Sequence, residues 1–288
     1  MLSKDAPLLN VLLSLLSISV WSVAGVASRI AILSSVDSHY FFPDSSLITV
    51  NVLGSLIIGF AYGLSGFSDI LPYTYLGISV GFCGSLTTFS SWVHAILQTD
   101  SSATVEVVTG LSMPFIAFLL GEDLAHAVSL LGDEKLMSKK TAMILDKYLV
   151  FSATVGCVLS MVLVPVLGVS GISNQDIIAS ALGPLGALSR YALSKGLNGR
   201  WGIETFMIGT LAANILAVII LGSLLKCSDN NDWCNESTIG IAGSLSTVSS
   251  WVLDTIKIYR KDKIWAYFYC LISLVAGVVV LIPFVNVG

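Results

Sequence analysis

Nine apolar runs, each about 18–25 residues long, follow one another along this chain with mostly short polar joins. They lie near residues 8–33, 47–66, 73–98, 103–121, 147–168, 174–196, 204–226, 237–258 and 264–285. In hydrocarbon, backbone N–H and C=O groups find no water, so segments of this length span as helices with their bonds made internally. Of the 288 residues, 55% are hydrophobic and only 11% charged, too little charge to cover a soluble domain of this size. The expectation is an all-α membrane protein of nine transmembrane helices. The first run continues into WSVAGVASRIAIL without a small-residue cleavage site, so it reads as a span and not as a cleavable signal. The few basic residues lie beside spans, which gives no support to nucleic acid as a partner; membrane lipid is the expected surrounding.

Orientation follows from where those basic residues fall. With the N-terminus in the cytoplasm, Lys4, Lys135, Lys139, Lys140, Lys147, Lys195, Arg200, Lys257, Arg260, Lys261 and Lys263 share the cytoplasmic side. Only Arg29, Arg190 and Lys226 depart from it, each at a span end or inside a span. Nine spans then leave the C-terminus outside. Residues 122–146 form the one long charged connection and read as a linker.

The chain also repeats itself. Gly25-Val-Ala-Ser-Arg29 recurs as Gly186-Ala-Leu-Ser-Arg190, Asn51 as Asn214, and GFCGSLTTFSSW at 81–92 as GIAGSLSTVSSW at 240–251, at separations of 161, 163 and 159 residues. Three motifs in one order at a near-constant offset indicate duplication. The halves are a first repeat (1–121), a linker with one transmembrane helix (122–173) and a second repeat (174–288). A single spanning linker turns the second four-helix repeat upside down relative to the first. Inverted repeats gather their shared polar elements near the membrane midplane, at interrupted helices.

The third and eighth spans carry those interruptions. Gly81, Gly84 and Thr87-Thr88 weaken helix propensity in the third, and Gly243 with Ser246-Thr247 does so in the eighth. Small residues there allow close helix packing; alternatively, the freed carbonyls serve an ion or solute. Asn51 and Asn214 read either as interhelical hydrogen bonds or as donors to an anion. Phe89 and Trp92 read either as packing or as ring edges, which are electropositive, facing an anion path. Arg29 and Arg190, expected near opposite membrane faces, read as anion-concentrating vestibule residues or as headgroup anchors. Ser112 and Pro114 in the fourth span and Ser273 in the ninth are weaker candidates for a polar track.

The pattern Gly-x-x-x-Arg, then Gly-Thr-Leu-x-x-Asn, then Gly-x-x-Gly-x-x-Thr-Thr-Phe-Ser resembles the fluoride channels known as Fluc or CrcB. Two copies joined by one spanning linker resemble their fused eukaryotic form, the FEX fluoride exporters. The resemblance implies a passive, fluoride-selective channel of the plasma membrane that exports fluoride and confers resistance, with one fused chain replacing an antiparallel dimer. It also implies a fluoride pore lined by Asn51, Asn214, Thr88 and Thr247, and a central structural sodium on the backbone carbonyls of Gly84, Thr87, Gly243 and Ser246.

The family's pore phenylalanines map to Phe89 and Trp92 in the first repeat, and to Val248 and Trp251 in the second. Each pore of the family takes its earlier aromatic from one subunit and its later one from the other. Phe89 with Trp251 keeps an aromatic pair, whereas Val248 with Trp92 does not. One working and one vestigial pore is the expectation. Asp254, opposed to Ala95 in the first repeat, adds a second asymmetry.

Cys83, Cys157 and Cys270 lie within spans and read as packing residues, while Cys227 and Cys234 flank SDNNDW outside, where a disulfide can form. Asn235-Glu-Ser237 is an N-glycosylation sequon on the same side. His39, His94 and His126 show no metal spacing, and no Ser-His-acid set faces itself across spans, so no enzyme is expected. An ion-coupled secondary transporter is the alternative, though it calls for titratable groups mid-membrane, of which the spans offer almost none besides the arginines.

Overall fold

The computed structural model describes residues 7–36, 45–64, 66–98, 103–131, 138–167, 172–198, 206–228 and 231–285. Lys4, His39, Lys135 and Arg200 lie outside the described residues. Among the described residues every regular element is a helix. The first repeat opens with α1 (Pro7–Ser35) and α2 (Ser45–Gly63), then the short α3 (Phe67–Ile70). Its third span is assembled from α4 (Pro72–Leu76), a π-helical segment (Gly77–Cys83), α5 (Gly84–Leu86) and α6 (Phe89–Gln98). The repeat closes with α7 (Ala103–Leu131), and α8 (Lys139–Leu167) is the linker helix.

The second repeat runs through α9 (Asn174–Leu197) and α10 (Ile208–Ser228). Its broken span comprises α11 (Asp232–Ser237), a π segment (Thr238–Ala242), α12 (Gly243–Leu245) and α13 (Ser249–Lys261). It ends with α14 (Lys263–Leu281) and a 3-10 turn (Ile282–Phe284). The arrangement fits two inverted four-helix repeats joined by a linker helix, as the sequence leads one to expect.

Local chemistry fixes several of these boundaries. Ser173 and Asp176 form a reciprocal capping box that starts α9, with Ser173 Oγ accepting from Asp176 N at 3.1 Å and Asp176 Oδ2 accepting from Ser173 N at 2.8 Å. Asp262 accepts from Ile264 N at 2.9 Å and starts α14 directly after α13. Cys227 and Cys234 are joined by a disulfide, with Cα atoms 6.0 Å apart, tying α10 to α11. The exposed Asn235 lies inside α11, with Ser237 of its sequon buried.

Two helices extend beyond the apolar runs read from the sequence. Helix α7 continues to Leu131 rather than stopping at 121, and α8 begins at Lys139 rather than near 147. Helical hydrogen bonding does not end at the bilayer surface: the residues after 121 are mostly good helix formers, and tertiary contacts hold them. Ala125 is buried, and Glu122 receives both carboxylate hydrogen bonds from Arg260 Nη2, at 2.7 and 2.6 Å, linking α7 to α13.

Among the described residues, seven of the helical spans are long and apolar enough to cross a membrane by length and composition. The two that fall short are α9 and the composite α11–α13 span, which carry Arg190, Lys195, Asp254 and Lys257 among their residues. Both pack on neighbouring helices of the protein, α9 on α1 and α10, and the π segment of the broken span on α9 and α10. Arg190 is buried there and Asp254 and Lys257 are partly buried, whereas Lys195 is exposed.

Close backbone approach binds each repeat together. Gly59 of α2 lies on the Phe118 carbonyl of α7, and Gly121 of α7 lies on the Leu56 carbonyl of α2, so a Cβ at either would strike backbone. Such contacts also repeat across the pseudo-symmetry. Gly25 meets the Phe82 carbonyl as Gly186 meets that of Ile241, and Gly81 meets the Ile18 carbonyl as Gly240 meets that of Ala179.

The linker helix packs on α1, α3 and α4 of the first repeat, anchored by one side chain. Asp146 is fully buried; its carboxylate accepts from Tyr73 N and Thr74 N, both at 2.9 Å, and from Thr74 Oγ1 at 2.6 Å. A helix of the linker thereby caps α4, whose first residue is proline. Asp146→Ala would strand these donors in an apolar setting. The expected result is about 2–4 kcal/mol of destabilisation, read as a lower thermal midpoint in detergent and faster proteolysis between the first repeat and α8.

Candidate functional site at the paired helix breaks

In both repeats the broken span turns extended at the same place, at Thr87 (φ −89°, ψ 150°) and Ser246 (φ −81°, ψ 157°). What opens the helix is a diversion of hydrogen-bond donors. Thr88 N, due to bond the Gly84 carbonyl, instead donates to Asn51 Oδ1 at 2.9 Å. Ser91 N, due to bond the Thr87 carbonyl, donates to Thr88 Oγ1 at 3.3 Å, as at a helix N-cap.

The second repeat does the same with its own residues. Thr247 N donates to Asn214 Oδ1 at 2.8 Å, and Ser250 N to Thr247 Oγ1 at 3.2 Å. Each Asn also returns an Nδ2 contact to the carbonyl it borders, at 3.5 Å to Thr88 O and 3.2 Å to Thr247 O. The carbonyls of Gly84, Thr87, Gly243 and Ser246 thus lose their helical donors. These are the four carbonyls that the family resemblance marks for sodium.

The two breaks meet through hydroxyls. Thr87 Oγ1 lies 3.2 Å from Thr247 Oγ1 and 3.1 Å from Ser249 Oγ, and accepts from Val248 N and Ser249 N at 3.2 and 3.1 Å. Ser246 Oγ lies 3.1 Å from Thr88 Oγ1 and 3.0 Å from Ser90 Oγ. All of these side chains are buried. Among the described residues no group of three or more His, Cys, Asp or Glu is placed to hold a metal. The oxygens at the breaks are neutral backbone carbonyls and hydroxyls, a donor type that suits a hard cation of low charge.

An aromatic cluster borders the breaks. Phe89, buried completely, lies 5.7 Å from Trp92 and 5.9 Å from Trp251 by ring centroids, and the two indoles are 6.2 Å apart. Phe115 of α7 meets Trp251 edge-on at 5.6 Å. The two repeats differ around these rings. Phe89 lies against Gly277 of α14, whereas Trp92 lies against Gly110 of α7 and donates its Nε1 to the Glu106 carbonyl at 3.2 Å. Val248 holds the buried position that Phe89 holds in the other repeat.

The arginines lie deep within the protein. Arg29 donates to the Ile239 carbonyl and packs on Gly243; Arg190 donates from Nη2 to the Val80 carbonyl at 2.8 Å and packs on Gly84. Each thus crosses to the π segment and break of the opposite repeat, and both are buried at 2% exposure. Arg190 also lines a cavity with Ser79, Thr210, Ser250, Asp254 and Lys257. A methyl group at position 84 or 243 would occupy the guanidinium's place. Gly84→Ala and Gly243→Ala are each expected to cost about 1.5–3 kcal/mol through the displaced charged hydrogen bond, measured as reduced thermal stability, with Gly156→Ala, which meets open space, as the neutral control.

The polar-track candidates separate. Ser112 is exposed on α7 and bonds back to the Val108 carbonyl at 2.7 Å, so it stays outside this cluster, while the buried Pro114 lies on the inner face of the same helix. Ser273 is buried on the inner face of α14 with Tyr269 and Gly277, and donates to the Tyr269 carbonyl at 2.6 Å. The spans also hold more acid than their sequence suggests at first reading. Glu106 is fully buried on α7, and Asp254 accepts from Thr210 Oγ1 at 2.6 Å. Sequence reasoning missed Glu106, Phe115, Gly277 and the Thr210–Asp254 pair. Aligning the fourth and ninth spans at the asparagine offset would have matched Glu106, Gly110 and Pro114 with Tyr269, Ser273 and Gly277.

The CrcB-like protein family (camphor resistance, CrcB) matches this chain twice, over residues 16–122 and 177–283. The chain is similar to fluoride export protein 1 of Candida albicans, 28% identical over 250 residues covering 74% of this chain and 62% of that protein. Fluoride export protein 1 of Neurospora crassa is 28% identical over 254 residues, covering 72% and 46%. The fluoride-specific ion channel FluC of Salinibacter ruber is 36% identical over 103 residues, 34% of this chain and 76% of that protein. The chain therefore spans less than two thirds of either fungal relative's length. No solved structure matches it.

Proposed function

This chain belongs to the CrcB-like family, and on that premise we propose that it is a passive, fluoride-selective channel exporting fluoride from the cytoplasm across the plasma membrane. The observation that carries the reading is the pair of breaks, where donor diversion by Asn51 and Asn214 frees four carbonyls beside buried aromatic rings. Fluoride is small and strongly hydrated. An apolar throat of ring edges, amide and hydroxyl donors replaces that shell without a titrating carrier group. A negative interior contributes about 2.3 kcal/mol per charge per 100 mV, enough to drive the anion outward with no ATP.

In this reading Gly84, Thr87, Gly243 and Ser246 hold one sodium ion through their carbonyls. The ion supplies fixed positive charge that offsets the cost of an anion nearby. Asn51 and Asn214 keep those carbonyls open, and the Thr88 and Thr247 hydroxyls start the helices that follow. Arg29 and Arg190 raise the local anion concentration, with the Arg190 cavity as one vestibule. The N-terminus is cytoplasmic and the C-terminus outside, the first repeat is 1–121, the linker 122–173 and the second repeat 174–288, and one fused chain forms the whole channel. Phe89 with Trp251 lines the working pore, and the Val248 side is vestigial.

Purified chain in liposomes is expected to release fluoride when a potassium ionophore sets the potential, and to retain chloride. Liposomes that hold both anions would sink the proposal. A proton-coupled carrier is the second reading, favoured by the partly buried Thr210–Asp254 pair. Fluoride flux at neutral pH that is unchanged by an imposed proton gradient, and by Asp254→Asn, selects the channel over the carrier.

A further inference from the structure

Trp251 and Trp92 occupy equivalent positions in the two repeats, yet their indole N–H groups have different fates. Trp92 Nε1 donates to the Glu106 carbonyl at 3.2 Å. Trp251 Nε1 is completely buried and, among the described residues, has no hydrogen-bond partner. The ring itself is held firmly, tilted against Phe89 at 5.9 Å and Trp92 at 6.2 Å, and edge-on to Phe115 at 5.6 Å. An indole N–H is a donor with no acceptor capacity, and stranding one in an apolar, membrane-embedded cluster is costly. Buried tryptophans usually find a partner for it. A protein acceptor is absent among the described residues, which leaves this donor open to a partner from outside the chain.

We propose that the Trp251 indole N–H is a hydrogen-bond donor to the conducted anion, making Trp251 a specificity-determining residue and not merely a ring that lines the throat. This rests on the channel reading above. A small, hard anion accepts a short N–H hydrogen bond more strongly than chloride does, since its charge is concentrated at a smaller radius. One directed donor on a ring packed 5.9 Å from Phe89 therefore favours fluoride over larger halides. The equivalent donor in the other repeat is already committed to a carbonyl, so the two tryptophans differ in function although they match in sequence.

The test uses the full chain labelled with 15N at tryptophan indoles, in detergent micelles and separately in liposomes. Titration with sodium fluoride is expected to move one indole N–H resonance downfield, saturably, and sodium chloride at the same concentration leaves it in place. That resonance persists in Trp92→Phe. In liposomes Trp251→Phe, which keeps the ring and removes the donor, is expected to lower fluoride efflux about 10- to 100-fold and to narrow the fluoride-to-chloride ratio. Trp92→Phe stays within about threefold of the unmutated chain.

No fluoride-dependent indole shift in the unmutated protein would overturn the proposal, as would a shift lost in Trp92→Phe. So would full efflux and full selectivity in Trp251→Phe. An unmutated chain that passes no fluoride instead fails the channel reading, and the indole titration reports separately on whether Trp251 binds the anion.

Discussion

Phe89→Ile is expected to reduce fluoride efflux on the order of 100-fold, whereas Trp92→Ile leaves most of it. Both substitutions remove a completely buried ring from one cluster, so both cost stability, about 2–4 kcal/mol on the scale of large-to-small core changes. Their effects on transport separate because their neighbours differ. Phe89 packs on Gly277 and on Trp251, whose indole donor has no partner among the described residues. Trp92 fills the space over Gly110 with its N–H committed to Glu106. Its partner position across the break is Val248, which has no ring to offer. Efflux normalised to the folded fraction on gel filtration is the measurement; equal loss from both substitutions would remove the case for a single working pore.

Asn51→Leu carries the second large effect. It removes the acceptor of Thr88 N. A buried N–H without a partner costs about 1–3 kcal/mol, and this one recovers a partner only by returning to the Gly84 carbonyl, which closes the break and takes that carbonyl from any cation. The unmutated chain is expected to gain thermal stability with added sodium. Asn51→Leu with Asn214→Leu should lower the midpoint by roughly 5–10 °C and abolish that sodium dependence together with fluoride efflux. Asn51→Asp tells the two roles of the amide apart. It keeps the acceptor for Thr88 N, and so most of the stability, but puts a negative charge beside the anion path and stops transport. A sodium effect that survives in the double leucine variant would separate the asparagines from the cation site.

Much of the architecture was legible in the chain itself. Apolar runs longer than a bilayer is thick admit one kind of backbone, and the recurrence of Gly25/Arg29, Asn51 and the Gly84–Trp92 stretch at one offset exposes a duplication without any coordinates. Helix ends were harder. The polar residues after 121 suggested a linker, yet Glu122 and Ala125 stay in α7 because contacts to α13 and α2 hold them. Composition marks where hydrocarbon ends, not where backbone hydrogen bonding does.

The site divides in the same way. The sequence by itself determined that Asn51, Thr87, Thr88 and their copies stand in equivalent places, because duplication preserves order and spacing. Only the tertiary structure decided which donor goes to which acceptor. It set Asp146 of the linker on α4, drove Arg29 and Arg190 inward onto opposite breaks, and left Ser112 outside. It also gave two matching tryptophans unlike surroundings. The physical reason is that hydrogen-bond assignment and burial depend on groups more than a hundred residues apart, such as Arg190 on Val80 and Thr87 on Ser249. A repeated motif fixes what each residue can donate or accept; the packing of the other repeat against it settles what it meets.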